Sequence, residues 1–170
     1  MDKTVYALLN EQIEKELYSA YLYLDMSNYY EAEGLSGFAN WFYVQAQEEM
    51  SHAMLMRSYL LNNDERVTLL AVDAPQGEYK EYSQPLSEAL RHEQFVTKSI
   101  NAIYEAALGS KEYRTVEFLN WFIKEQGEEE KNAQDLIRKY ELFGKEAKGL
   151  YALDQELAGR TYVAPSLTLD

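Results

Sequence analysis

The 170-residue chain contains no cysteine. That excludes disulfides, Cys-ligated zinc sites, iron–sulfur clusters and thiol nucleophiles. Proline is scarce: Pro75, Pro85 and Pro165 all lie outside the interiors of the helical patterns. Such a distribution favours an all-α protein. Positive charge is thin, with 16 Lys and Arg against 29 Asp and Glu and a net charge of −13. No basic stripe exists to meet phosphates, so nucleic acid is not an expected partner. No run of about 18 apolar residues occurs, so no membrane span is expected. The start Met1-Asp2-Lys3-Thr4 carries no apolar signal segment. The expectation is a cytoplasmic protein with one domain over 1–170, long enough to bury a core.

What the chain does have is helical periodicity. A first stripe, over 4–32, runs through Leu9, Ile13, Glu16, Ala20, Tyr23 and Ser27, and Glu33-Gly34 ends it. A second helix over 35–63 aligns Phe38, Phe42, Gln45, Glu49, His52, Met56 and Tyr59. The short link makes the pair antiparallel. Residues 64–83 then lose the period around Pro75 and Gly77. A helix of about 28 residues is about 42 Å long, and a link of about 20 residues reaches about 66 Å when extended. This crossover can therefore return the chain along the bundle, so that the third helix runs parallel to the second.

The third helix, over 84–108, aligns Leu86, Leu90, Glu93, Val96, Ile100 and Ile103. The fourth, over 111–142, aligns Leu119, Phe122, Gln126, Glu129, Ala133 and Leu136. A short fifth helix over 146–157 and a loose tail over 158–170 complete the expectation. Four long helices with one long crossover make the ferritin-like arrangement among helical bundles.

Acid interrupts every stripe near mid-helix: Glu16, Glu49 with His52, Glu93, and Glu129 with Gln126. A single Glu beside a stripe snorkels to solvent more often than not. Four interruptions, one per helix, are hard to explain that way. Buried ionised carboxylates cost several kcal/mol each unless neutralised, and no Lys or Arg is expected to reach them. Four Glu sum to −4, which two divalent cations cancel, with His52 as a neutral nitrogen ligand. Oxygen-rich ligation with one imidazole tilts toward iron or manganese over calcium or magnesium. Zinc sites are usually richer in His or Cys. A dinuclear iron site is the expectation.

Advancing about 100° per residue puts Glu48 in the same wedge as Glu49 and His52, and puts Glu125, Glu128 and Glu129 together on the fourth helix. Glu130 points away, toward solvent. Two readings stand for Glu48, Glu125 and Glu128: a third, more exposed ion, or a solvated acidic rim.

Several segments resemble the bacterial non-haem ferritins. They are LNEQIEKELYS (9–19), QEEMSH (47–52), HEQ around Glu93, EQGEEEK (125–131) and GLYALDQEL (149–157). The resemblance implies a shell of 24 identical subunits that oxidises Fe(II) with O2 or H2O2 and stores Fe(III) as mineral. By motif, Glu16, Glu49 and His52 resemble ligands of a first iron. Glu49, as a bridge, with Glu93 and Glu129 resembles the set for a second, with Gln126 nearby. Glu48, Glu125, Glu128 and Glu129 match a third position. Tyr23 matches the tyrosine beside the centre that supplies an electron, though an amphipathic core tyrosine is an equally open reading.

There are departures from related families. Where bacterioferritins carry a second Glu-x-x-His, this chain reads Gln126-x-x-Glu129, which suits iron passing through rather than a retained cofactor. Met50 matches the bacterioferritin haem-ligand methionine but is expected to pack, with no haem. His92 is expected to face outward or pack locally. Two other readings compete. A di-iron oxygenase or peroxidase would not elute as a large shell. A non-catalytic scaffold or DNA-protecting shell would bind no iron and consume no oxygen with Fe(II).

Overall fold

The structure, a computed structural model, describes residues 1–169. Its elements are α1 (Lys3–Ala32), α2 (Ser36–Asn62), α3 (Ser83–Gly109), α4 (Tyr113–Phe143) and α5 (Ala147–Leu157), with no strand among the described residues. These bounds lie within two residues of the helices read from periodicity.

Asp2 starts α1 by accepting from the Thr4 and Val5 amides at 2.8 and 3.2 Å, the usual remedy for orphan N–H groups at a helix start. Gly34 turns the chain into α2 at φ +77°, a conformation that costs glycine little. The start of α2 is capped from far away: Asp154 of α5 accepts from the Gly37 and Phe38 amides at 2.8 and 3.0 Å. A Cβ on Gly37 would fall 1.7 Å from the Asp154 carbonyl oxygen, so only glycine allows this approach.

α1 packs along α2, α3 along α4, and α1 also meets α3, while α5 sits on α2 and α4. The crossover travels back along α1. Tyr6 donates to the Arg66 carbonyl at 2.7 Å, and Asn10 exchanges two 2.9 Å bonds with Thr68. At the far end the Tyr79 ring lies 5.2 Å from Tyr29, and Tyr30 donates to the Tyr82 carbonyl at 2.5 Å.

Two apolar clusters fill the interior. One holds Tyr23, Tyr30, Phe38, Phe42, Leu86 and Leu136. The other holds Leu9, Ile13, Met56, Val96, Ile100, Leu119 and Phe122. Between them lies a belt of buried polar side chains, and every one of the four long helices contributes to it.

Residues 158–169 have no helix, yet they are tied along α2 and α4; Asp170 lies outside the described residues. Asn40 donates to the carbonyls of Leu157, Ala158 and Arg160. Tyr162 shares a 2.7 Å hydrogen bond with Ser51, and Trp121 donates to Ser166 at 3.1 Å. Leu167 and Leu169 lie on the second apolar cluster. The tail has no periodicity because it is an extended strap, held by hydrogen bonds to residues 45 to 120 positions distant in sequence.

Candidate metal centre

The belt is built one helical turn at a time. Residues four apart share a helix face, and on α1 and α2 a glutamine precedes the glutamate by four. Gln12 donates to Glu16 at 2.8 Å, and Gln45 to Glu49 at 3.2 Å. Gln45 also reaches across to Glu129 of α4 at 2.7 Å. From α4, Gln126 donates to Glu93 Oε2 at 3.1 Å and to the Glu93 carbonyl at 3.3 Å. The Tyr23 hydroxyl closes the ring with a short hydrogen bond to Glu93 Oε1.

Six of the residues read from the stripes meet here. Glu16, Glu49, His52, Glu93, Gln126 and Glu129 are each at most 4 % exposed. Ligand atoms of Glu16, Glu49 and His52 lie within 4.8 Å of one another, as do those of Glu49, Glu93 and Glu129. Glu49 is common to both groups and so sits where a bridging carboxylate would. His52, Glu125 and Glu129 make a third such group. Glu128 joins none of them: it is 60 % exposed, with Lys124 at 3.6 Å. Glu48 lies at the edge of the belt, bound to Arg160 at 2.6 Å.

The electrostatics are those of stacked acid without counter-charge. Among the described residues no lysine or arginine forms an ion pair with Glu16, Glu49, Glu93 or Glu129. Burial pushes the Glu16 carboxyl well above the usual carboxylate range, and the charge of Glu49 beside it adds to the effect. Burial and the neighbouring Glu93 do the same to Glu49 and Glu129. Glu93 is raised by burial despite the bonds from Tyr23 and Gln126. The Tyr23 hydroxyl is also driven well up, first by burial and then by Glu93. Desolvation penalises the charged form of every acid here.

Three atoms of the belt are orphaned: Gln12 Oε1, Glu16 Oε2 and His52 Nδ1. His52 Nδ1 and Glu16 Oε2 are buried without a hydrogen-bond partner among the described residues, although His52 Nδ1 is 3.4 Å from Glu49 Oε2. Buried polar atoms are seldom left unpaired. A cation between Glu16, Glu49 and His52 would satisfy both, and the donor set, two carboxylates and one imidazole, suits a hard or borderline divalent ion.

Several features escaped the sequence. Gln12 and Gln45 hold carboxylates, although Gln12 aligns with no stripe and Gln45 only as a polar member of one. Arg160 reaches Glu48 although no cation was expected near the acids; nothing local in the sequence connects positions 112 apart. His92 packs locally. Its Nε2 lies 2.6 Å from the Ser19 hydroxyl, its ring meets Tyr23 edge-on at 6.0 Å, and burial lowers it to about 4. Glu130 is half-buried and accepts from Thr97 at 2.6 Å. Met50, expected to pack, is 45 % exposed and lines an apolar groove with Tyr21, Leu24 and Tyr43.

A bundle of four long helices with one long crossover, carrying a glutamate common to two ligand clusters and a Glu-x-x-His pair in its interior, has the arrangement of the carboxylate di-metal bundle proteins. Comparison with known proteins narrows this. A family model for the ferritin-like domain matches residues 6–143. A bacterial non-heme ferritin of Campylobacter jejuni is 40 % identical over 155 residues, covering 91 % of this chain and 93 % of its own. One from Escherichia coli O157:H7 is 38 % identical over 150 residues, covering 88 % and 91 %. An open-pore ferritin of the archaeon Archaeoglobus fulgidus superposes with a TM-score of 0.92 at 40 % identity, covering 95 % of this chain and 98 % of that one. The chain belongs to the ferritin family. Family membership and the carboxylate–histidine cluster together support iron storage with oxidation of Fe(II).

Proposed function

We propose that this chain binds two Fe(II) ions per subunit as substrate, oxidises them with O2 or H2O2, and passes Fe(III) to a mineral core inside a 24-subunit cytoplasmic shell. The observation that carries this reading is the four buried glutamates, with Glu49 common to two ligand clusters, no basic partner, and unpartnered ligand atoms on Glu16 and His52. Near-complete coverage of ferritin chains supports the shell.

In this reading Glu16, Glu49 and His52 hold one ion, and Glu49, Glu93 and Glu129 hold the other. Before iron arrives, protonation relieves the charge of the raised carboxyls, and the amides of Gln12, Gln45 and Gln126 hold the ligand oxygens in place. Binding of Fe(II) displaces those protons, and the freed amides lose their carboxylate acceptors to the metals. Each Fe(II) gives up one electron. Two electrons and two protons convert O2 to hydrogen peroxide, and two more of each convert peroxide to water. The protein contributes geometry, charge and exclusion of water.

Tyr23, bonded to Glu93, is the side chain placed to lend an electron, its proton passing to Glu93. Gln126 orients Glu93 without becoming a strong ligand, which leaves the second ion weakly held and able to leave as product. Glu48, Glu125 and Glu128 form an outer rim that receives a third ion together with Glu129.

The test is oxygen consumption on addition of Fe(II). The parent oxidises Fe(II) rapidly and elutes as a shell of several hundred kilodaltons. If Glu49→Ala or His52→Ala oxidised iron as fast as the parent, the assignment would be wrong.

A further inference from the structure

The tail carries a cation into the acid belt, and the manner of its attachment has a consequence for metal loading. Arg160 is only 19 % exposed and is held on four sides. Its Nη2 donates to Glu48 Oε2 at 2.6 Å, while Nη1 donates to Gln45 Oε1 at 2.9 Å and to the Trp41 carbonyl at 3.2 Å. The guanidinium carbon stands 4.4 Å from the centre of the Trp41 ring. Asn40 clamps the Arg160 carbonyl at 2.9 Å. Asn40, Trp41, Gln45 and Glu48 are four positions along α2, so the strap is docked on a built surface.

Gln45 makes this more than a surface ion pair. Its carbonyl oxygen faces Arg160, so its amide nitrogen is aimed at Glu49 and Glu129, both assigned above to the second ion. A guanidinium is planar and presents several donors in a fixed fork. With Nη1 on Gln45 and Nη2 on Glu48, Arg160 fixes the flip of the amide and the rotamer of the outer glutamate at once.

We propose that Arg160 is a displaceable counter-ion and a positioning residue for the outer metal position. It occupies Glu48 while that position is empty, and a divalent cation entering beside Glu125 and Glu129 expels it, releasing the strap from residue 160 onward. Arg160 holds Glu48 Oε2, so a metal that takes Glu48 beside Glu125 competes with the guanidinium; each weakens the binding of the other, and that coupling is reciprocal. Expulsion also frees Gln45, which ties occupancy of the outer position to the setting of Glu49 and Glu129. This inference rests on the two-ion reading of the belt.

The test uses Zn(II), a redox-inert probe, on the assembled apo-protein. Calorimetric titration counts equivalents bound per chain, and hydrogen exchange follows residues 158–166. In the parent, protection of the strap holds through the first two equivalents and falls with the third. Arg160→Leu binds the third equivalent about tenfold tighter, the scale of one charge-assisted hydrogen bond, and its strap exchanges rapidly at all loadings. Arg160→Lys keeps the charge but loses the fork to Gln45, and lies between the two. A third equivalent bound no tighter in Arg160→Leu, or a strap whose protection ignores zinc, overturns the proposal while leaving the first two sites intact. Loss of all three equivalents would overturn both this inference and the two-ion reading.

Discussion

Two sets of glutamates in this molecule lie within one helical turn of each other yet live under opposite conditions. The inner four, Glu16, Glu49, Glu93 and Glu129, are buried, are held by glutamine amides and a tyrosine, and have no basic partner. The outer three are solvated or supplied with charge: Glu48 has Arg160, Glu128 has Lys124, and Glu125 is half-buried. Burial raises Glu48, and Arg160 pulls back against it. The inner set therefore has no counter-charge within the chain, whereas two members of the outer set do. That difference separates a site that must bind from a site that can wait.

The comparison predicts a steep gradient of effects. The largest comes from its centre: Glu49→Ala removes the ligand shared by both ions and lowers the initial rate of Fe(II) oxidation by at least about 100-fold, since even outer-shell changes at metal sites cost about 10–100-fold. Stopped-flow absorbance on anaerobically loaded protein reads this directly. The isosteric Glu49→Gln has an additional signature, because removing one acid from the cluster stabilises the metal-free protein at pH 8 even as it cripples oxidation.

The second effect is on stability. The inner carboxyls sit above their unfolded value of 4.5, so the folded apo-protein binds more protons than the unfolded chain above that pH. Their contribution is fully present below about pH 4.5 and is lost as pH rises through the folded values. Apo-protein in chelator should lose stability between pH 5 and pH 8 by more than about 1.4 kcal/mol, the equivalent of one pKa unit. Zn(II) should flatten that slope. Denaturant unfolding at several pH values checks both, and a metal-free protein that grows more stable toward pH 8 would break the contrast.

Smaller effects follow outward. Tyr23→Phe deletes the hydroxyl that donates to Glu93 and is expected to slow oxidation about fivefold, about 1 kcal/mol. Glu128→Ala, at an exposed position paired only with Lys124, is expected to stay within about twofold of the parent rate, since surface pairs contribute little. If Glu128→Ala matched the loss in Glu49→Ala, the division into inner and outer sets would fail.

Much of this was legible in the sequence, and the limit has a physical form. Helical period carries information over about one turn, so it located all four long helices and the acids that break their apolar faces. It could not see contacts between distant segments. Asp154 capping α2, Arg160 on Glu48 and Trp121 on Ser166 each join positions dozens of residues apart. The attachments of the strap were hidden for the same reason: an extended segment held by another element's side chains has no period of its own. Gln45 was aligned with the stripe but its task was invisible, because which end of an amide faces a carboxylate depends on Arg160 at the other end. Met50, which the resemblance suggested would pack, is 45 % exposed.

Crystals of the assembled protein soaked in Fe(II) without oxygen, with anomalous data at the iron edge, address the inner set most directly. Two peaks are expected per subunit, one among Glu16, Glu49 and His52 and one among Glu49, Glu93 and Glu129, with Glu49 between them. A belt that shows no peak, its four carboxyl groups still bonded to Gln12, Gln45, Gln126 and Tyr23, would contradict the claim that those acids are buried in order to hold metal.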